Sequence, residues 1–329
     1  MTCSAAVRYK RLTCSSLPWT FFGCLSKRAR CNRGKFGRCR AGSEGRAGKP
    51  LELRVVGCHG GETPKHRTSA FVLDDRVALD AGSLTSGLDL AQQSALEAVL
   101  VSHAHLDHIR DLATIADNRN QQAAAPLVVA GTRQTIAILR KHFFNNLLWP
   151  DFSTIPTRRR PAIRYMLLQP EKPAVVAGYR VCPVPVSHTI DCCAFLVSGL
   201  DCTLAYSGDT GPTDRLWEVL SNTENLKALL MEVSFPNSEG RLARRSGHHT
   251  PETMARDVAK LEKPAPANKD ERVGRSVHEP RNIVGYKAKE LPTLLYHIKP
   301  CFQAVVEREC ARLAGLNLTV CALGDQYIL

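Results

Sequence analysis

Apolar and polar residues alternate in short runs along most of the chain, and these runs predict a series of strands. LELRVVG, which starts at Leu51, alternates as a strand does, and the Gly-rich GCHGGETPKHRTS follows it as a loop. AFVLDD and RVALDAGS are typical of two short strands joined by a tight turn at Asp74 and Asp75. Other apolar runs predict strands at AVLVSH, APLVVAG, residues 174–186, 193–198 and 202–206, ALLMEVSF and PTLLYHIKP.

Helical spacing of apolar residues appears between these strands. Residues 88–97 suit a helix, and so does GTRQTIAILRKHFFNNLL, which ends before Pro150. TPETMARDVAKL is amphipathic, begins at Thr250 and has Pro251 at its first helical position. Because helices and strands are interspersed, we expect an α/β layered sandwich.

Two segments do not fit this pattern. Residues 1–50 contain twelve Lys or Arg and one acid, so most of the net charge of +13 lies there. We interpret them as a basic extension, either disordered or an organelle transit segment, and residues 51–329 as one domain. Residues 263–290 are charged and rich in Pro, which predicts a surface loop or insertion. Residues 51–329 as a whole are nearly neutral, which argues against a nucleic-acid partner inferred from pI alone.

Cysteine usage and hydropathy bear on the compartment. None of the thirteen cysteines forms a C-x-x-C pair, so zinc-finger spacing is absent. Several lie in apolar strands, which predicts buried thiols in a reducing compartment. No apolar run approaches the ~20 residues that a membrane span requires. We therefore expect a cytoplasmic protein with no membrane partner.

The stretch VSHAHLDHIRD concentrates potential metal ligands. Side chains two positions apart share a face only on an extended segment, so His103 and His105 predict a strand end, with a helix from about Leu106. In that geometry His103 and His105 can bind one ion while Asp107 and His108 turn toward a second. Neutral imidazole and carboxylate ligands suit Zn, Mn or Fe(II).

H-x-H-x-D-H after an apolar strand resembles the signature of the metallo-β-lactamase superfamily. The resemblance covers about residues 51–329 and implies a four-layer αββα sandwich. It implies further ligands at His188 in PVPVSHTIDCCAFLV, at Asp209 in LAYSGDT and at His297 in LLYHIKP. Asp80, in LDAG, would orient ligands through hydrogen bonds. The implied cofactors are two divalent ions, with zinc as first choice: one held by His103, His105 and His188, the other by Asp107, His108 and His297, with Asp209 between them.

The pieces MEVSFPN, GHHTPE and YHIKP resemble, more narrowly, the class II cyclic-nucleotide phosphodiesterases. That resemblance implies hydrolysis of 3′,5′-cyclic nucleotides, cyclic AMP or cyclic GMP, to 5′-nucleotides. His248, oriented by Glu232, would protonate the leaving oxygen, and Asp107 completes the expected catalytic set. His249 is the weaker candidate because Thr250 and Pro251 align the match on His248. A small residue is expected in this subfamily where Asp111 stands, which leaves the substrate open.

Other interpretations remain open. A ribonuclease Z-like endonuclease that processes tRNA 3′ ends would use the same ions, and RLARR at 241–245 is a small basic patch that would suit nucleic acid. A non-catalytic metal-binding scaffold is an alternative of another class, although such members usually lose ligands. His278 is a rival to His297 but lies in a charged loop with no strand to position it. A homodimer is possible, and the sequence does not specify the metal.

Overall fold

The computed structural model describes residues 9–11, 50–262 and 288–329. Its strands form two mixed sheets. The first sheet contains eight strands in the order β1-β15-β2-β3-β4-β5-β6-β7, and the second contains seven in the order β14-β13-β12-β11-β10-β9-β8. The strands are Tyr9–Arg11 (β1), Glu52–Gly57 (β2), Ala70–Leu73 (β3), Val77–Leu79 (β4), Ala98–Leu100 (β5), Leu127–Thr132 (β6), Ile163–Leu168 (β7), Ala174–Val176 (β8), Tyr179–Pro185 (β9), Cys193–Ser198 (β10), Thr203–Tyr206 (β11), Leu226–Glu232 (β12), Thr293–Tyr296 (β13), Leu318–Val320 (β14) and Gln326–Ile328 (β15).

Helices cover the outer face of each sheet. Five follow strands of the first sheet and four follow strands of the second in the described ranges: Leu84–Gly87 (α1), Leu90–Ala95 (α2), Leu106–Ile109 (α3), Leu112–Gln121 (α4), Arg133–Ile138 (α5), Arg215–Ser221 (α6), Gly240–Ser246 (α7), Pro251–Val258 (α8) and Gln303–Cys310 (α9). Leu139–Phe143 continues α5 as a π-helix, and short 3₁₀ turns occupy Asn237–Glu239, Ala259–Glu262 and Pro300–Phe302. No helix in the described ranges is long and apolar enough to cross a membrane.

Alternation along each strand distributes its side chains between two cores. In β3, Phe71 and Leu73 point into a core between the sheets, whereas Ala70 and Val72 pack under helices on the outer face. A third cluster, which includes Trp217 and Met254, lies between the second sheet and its helices. Because both faces of each sheet are covered, central strands such as β3, β5, β10 and β11 are buried at nearly every position. The four layers are helix, sheet, sheet and helix, as predicted.

Several local predictions are confirmed and others need correction. Asp74 and Asp75 both have positive φ (48° and 57°) and are the central residues of a tight turn between β3 and β4, which the Arg76 amide closes on the Leu73 carbonyl (2.9 Å). Residues 174–186 are not one strand but a hairpin, because Gly178 (φ 86°) reverses the chain between β8 and β9. The helix predicted up to Pro150 ends at Phe143. Strand β7 was not predicted, and neither was the pairing of the C-terminal β15 with β2.

Most of residues 1–50 and of the predicted insertion at 263–290, including His278, lie outside the described residues. All eight cysteines of residues 51–329 are free thiols, and five of them are buried. Burial raises the pKa of the adjacent Cys192 and Cys193 thiols well above the ordinary value, so both stay protonated. These two behave as small apolar side chains.

Candidate metal centre

The histidine-rich motif changes conformation where its spacing predicts. Strand β5 ends at Leu100, the chain stays extended through His105 (φ −72°, ψ 148°), and α3 begins at Leu106. The extended stretch points His103 and His105 the same way, and the first helical turn brings Asp107 and His108 beside them. One strand end thus supplies four potential ligands.

The first cluster joins this motif to the second sheet. His103 Nε2 lies 3.0 Å from His105 Nδ1, and His188 Nε2 lies 3.2 Å from the same His105 nitrogen. His188 follows β9 and is half-buried, whereas His103 is completely buried. Three imidazole nitrogens therefore converge from two sheets on one point.

The second cluster lies directly beside the first. His297, which follows β13, places Nε2 3.3 Å from His108 Nε2 and 3.3 Å from Asp107 Oδ2. Asp209, which follows β11, places Oδ2 3.2 Å from His108 Nε2, 3.3 Å from His297 Nε2 and 3.7 Å from His103 Nε2. The structure thus brings together all seven residues predicted as ligands, with Asp209 between the two clusters. The Asp107 side chain is 29 % exposed, so this side of the centre is open to solvent.

These donors fit divalent cations. Four of the five histidines turn their far nitrogen to an oxygen: His103 to Ser102 Oγ (3.0 Å), His188 to the Gly247 carbonyl (2.9 Å), His108 to Asp80 Oδ2 (2.6 Å) and His297 to Ser234 Oγ (2.9 Å). A proton held on the far nitrogen leaves the near nitrogen a lone pair for a cation. Asp209 Oδ1 is fully buried and has no hydrogen-bond partner among the described residues. A bound cation would satisfy that orphaned carboxylate oxygen.

Electrostatics favour the neutral ligand form of most of these imidazoles. Burial lowers the pKa of His103 well below its usual range, and burial likewise lowers the pKa of His188 and His297. His108 differs: burial opposes its charged form, but the Asp209 and Asp80 carboxylates outweigh burial and raise its pKa. A cation must therefore displace a proton from His108, which makes metal binding pH-dependent.

Asp80 orients His108 through a hydrogen bond to its far nitrogen. Its carboxylate is fully buried and accepts four hydrogen bonds, from the Ser102 amide (2.7 Å), Ser102 Oγ (2.7 Å), His108 Nδ1 (2.6 Å) and the Tyr206 hydroxyl (2.6 Å). Its backbone has φ 57°, a left-handed conformation that Asp and Asn tolerate better than other non-glycine residues. The structure thus places Asp80 where sequence analysis predicted an orienting residue.

A buried Glu–Ser–His arrangement borders the second cluster. The Ser234 hydroxyl donates to Glu232 Oε2 (2.9 Å) and lies 3.2 Å from His248 Nδ1, while Glu232 Oε1 is 3.4 Å from that nitrogen. The His248 ring stacks on His297, with centroids 5.2 Å apart at 20°. Burial raises the pKa of Glu232 to about 7, and burial lowers the pKa of His248. Both groups therefore titrate away from their ordinary ranges, as acid–base residues of active sites often do.

The neighbouring candidates have other surroundings. His249 turns away from the centre, with Nδ1 3.0 Å from Thr253 Oγ1, and only its amide reaches Glu232 Oε1 (2.8 Å). The 241–245 patch belongs to α7, whose arginines are exposed. Asp111 is buried and accepts from the amide and the hydroxyl of Thr85 (2.7 and 2.6 Å). It therefore anchors α1 to the start of α4.

Sequence analysis missed three polar residues around the centre. Ser234 lies two positions after Glu232, a spacing that puts both on one face of an extended segment. Tyr206 and Tyr296 stack on each other (5.2 Å) in the inter-sheet core, and the Tyr296 hydroxyl donates to the Gly208 carbonyl (2.8 Å). Both tyrosines are the last residue of a buried strand, so the sequence pattern suggests only an apolar core position. Their one distinguishing feature in the sequence is that each stands just before a segment with a predicted metal ligand.

Comparisons with known proteins agree with this geometry. A family model described as "Beta-lactamase superfamily domain" matches residues 77–266. The chain is 25 % identical over 297 residues to a probable 3′,5′-cyclic-nucleotide phosphodiesterase of Yersinia pestis, covering 77 % of this chain and 79 % of that protein. It is 27 % identical over 225 residues to a 3′,5′-cyclic-nucleotide phosphodiesterase of Aliivibrio fischeri, covering 56 % and 66 % of the two chains.

Solved structures show the same fold. Unliganded yeast PDE1 aligns with a TM-score of 0.68 at 18 % identity, over 85 % of this chain and all of that one. The short form of human tRNase Z aligns with a TM-score of 0.54 at 16 % identity, over 84 % of this chain and 98 % of that one. At such low identities these likenesses establish the architecture, which is the αββα sandwich predicted from the sequence.

Proposed function

This chain belongs to the β-lactamase superfamily, and we propose that it hydrolyses 3′,5′-cyclic nucleotides to 5′-nucleotides. The observation that carries the proposal is the convergence of His248, Ser234 and Glu232 beside a paired set of metal ligands. The names of its relatives in Yersinia pestis and Aliivibrio fischeri support cyclic nucleotides as the substrate class.

We propose that the centre holds two divalent cations, with zinc as first choice and Mn or Fe(II) as alternatives. His103, His105 and His188 would hold one; Asp107, His108 and His297 would hold the other; Asp209 would contact both. Five imidazoles and two carboxylates suit these metals better than Mg or Ca, which prefer all-oxygen sites. When bound, such a pair polarises a phosphoryl oxygen and makes water available as a nucleophile at neutral pH.

The chain's own proton donor would be His248. Since Ser234 donates to Glu232, its oxygen can accept the Nδ1 proton of His248, which fixes the ring and leaves Nε2 for the reaction. A proton held at Nε2 makes the ring an imidazolium, which the Glu232 carboxylate would stabilise. Because burial lowers the pKa of His248, that imidazolium gives up its proton readily to the departing 3′ oxygen. Such proton transfer contributes about 10²–10⁴-fold to a rate.

A turnover assay tests this proposal. Purified protein is given cyclic AMP, cyclic GMP, a tRNA precursor and bis(p-nitrophenyl) phosphate, each with and without chelator. We expect cyclic nucleotides to be hydrolysed best and the chelator to stop the reaction. His248→Ala should lower kcat about 10²–10⁴-fold, whereas His142→Ala, at an exposed π-helix position, should not.

Two results would point elsewhere. Cleavage of the tRNA precursor in preference to cyclic nucleotides would select the endonuclease, for which α7 offers a short basic helix. Metal binding without turnover of any of the four compounds would select the non-catalytic scaffold. Equal kcat for His248→Ala and the unaltered protein would remove His248 from the mechanism while leaving the substrate assignment intact.

A further inference from the structure

Lys299 lies next to the centre in the YHIKP stretch, and the proposed mechanism gives it no role. It follows His297 by two residues and precedes the 3₁₀ turn Pro300–Phe302. Its side chain is half-buried, and its ammonium donates to the Gly60 carbonyl (2.7 Å). The residue is therefore held at the edge of the site by the Gly-rich loop after β2.

The position of Lys299 is fixed by close packing of two backbones. A Cβ added at Gly60 would meet the His297 carbonyl at 2.4 Å and Lys299 Cδ at 3.0 Å, so the loop fits only without a side chain. His297 has φ 69°, an unusual left-handed conformation for a residue that is not glycine. In this conformation the His297 imidazole contacts His108 and Asp107, while Lys299 Cδ packs next to Gly60.

Backbone geometry places Lys299 next to the reacting region. Its amide donates to the Ser234 carbonyl (3.2 Å), and the Ser234 hydroxyl contacts both His248 Nδ1 (3.2 Å) and His297 Nδ1 (2.9 Å). An ammonium has three N–H donors. One goes to Gly60, and no other hydrogen bond joins this ammonium to the part of the chain that the structure describes. Its remaining N–H donors are therefore available to an acceptor from outside the protein, such as a phosphate oxygen.

We propose that Lys299 binds a non-bridging oxygen of the substrate phosphate and so makes the site selective for anionic phosphodiesters. This inference rests on the proposed function and deepens it. The ammonium and the cations would neutralise the phosphate together, and Gly60 would hold the ammonium in place before substrate arrives. Lys299 is then a substrate-binding residue, and its removal acts on affinity more than on the chemical step.

Three substitutions separate substrate binding from loop support. Lys299→Met removes charge and donor, Lys299→Gln removes the charge but keeps an N–H for Gly60, and Lys299→Arg keeps both. Loss of a charge-assisted hydrogen bond predicts a KM increase of about 10- to 100-fold for the Met and Gln variants. We expect kcat to change less than about threefold and the Arg variant to lie near the unaltered protein. Lys172→Met, at an exposed turn, is the matched control.

A second measurement keeps this test independent of the proposed function. Calorimetric titration of zinc-supplemented protein with inorganic phosphate should show the same weakening for Met and Gln, even if cyclic nucleotides are not the substrate. Metal content and the thermal unfolding midpoint should match the unaltered protein. Lys299→Gln behaving like the unaltered protein while Lys299→Met fails would make Lys299 a loop support. Unchanged phosphate affinity in all variants, or loss of metal, would also overturn the proposal.

Discussion

Replacing Asp80 with Asn tests how far the carboxylate that holds His108 controls metal binding. Asn has the same shape and also tolerates a backbone with φ 57°, so the backbone is preserved. In the unaltered protein, Asp80 Oδ2 accepts three hydrogen bonds and Oδ1 accepts one, from the Ser102 amide. An Asn carbonyl can keep the three, but its NH₂ group then opposes the Ser102 N–H.

The magnitude follows from these contacts. A buried donor without an acceptor costs about 1–3 kcal/mol, and hydrogen bonds to a neutral oxygen are weaker than those to a carboxylate by about 1 kcal/mol each. The first cost falls on the Ser102 amide, and the second includes a weaker hydrogen bond to the His108 Nδ1 proton. Loss of such an outer partner typically lowers metal affinity about 10- to 100-fold. We expect Asp80→Asn to fold with reduced stability and to bind zinc about 10- to 100-fold more weakly than the unaltered protein.

Zinc affinity is measured by competition with a chelating dye, with metal content and urea unfolding in parallel. Asp201→Asn, at an exposed position in the turn between β10 and β11, is the control and should leave affinity and stability unchanged. If folded Asp80→Asn binds zinc as tightly as the unaltered protein, then the hydrogen bond to His108 does not tune the centre.

Three further outcomes are expected. Zinc added to protein from which a chelator has removed the metal should raise the thermal unfolding midpoint, because ligand at 100 times its Kd adds about 2.7 kcal/mol to the free energy of unfolding. Equal midpoints with and without zinc would contradict the metal centre. In metal-free protein, burial raises the pKa of Glu232 to about 7, so the folded state binds a proton that the unfolded state releases above its ordinary pKa of 4.5. The free energy of unfolding should therefore fall as pH rises from 4.5 to 7, and less so in Glu232→Gln; parallel pH profiles would refute this assignment. Phe195→Ala, in the core between the sheets, should cost about 3–5 kcal/mol in urea unfolding, whereas Leu200→Ala at an exposed turn should cost less than about 0.5 kcal/mol.

The parts that sequence predicted well are those in which a local pattern and its surroundings agree. The change from strand to helix at Leu106 follows from histidine spacing alone, and the positive-φ turn at Asp74 and Asp75 follows from residue type. The four layers and the family followed from motifs spread along the chain, because each motif stands at the end of a recognisable apolar strand. Such agreement of local and long-range signals is what makes a segment predictable.

The missed features depend on contacts that local pattern does not encode. Strand β7 follows a basic stretch and carries an exposed Arg164, which obscures its alternation. The hairpin at Gly178 interrupts a run that remains apolar on both sides. The hydrogen bonds of Ser234 and Tyr206, and the position of Lys299 against Gly60, exist only after distant segments meet. Residue propensity and spacing in the sequence do not encode such long-range contacts.

The exposed connection at 169–173 crosses from the first sheet to the second, and the proposed metal ligands come from both sides of that crossing. A single protease cut there would leave two fragments, one with His103 to His108 and the other with His188, Asp209 and His297. Each fragment holds only some of the proposed ligands, so a bound zinc ion would link the two fragments. The core between the sheets and the pairing of β15 with β2 would also join the fragments, so zinc should raise the denaturant concentration at which they separate, and the protein could be developed into a complementation pair that zinc strengthens.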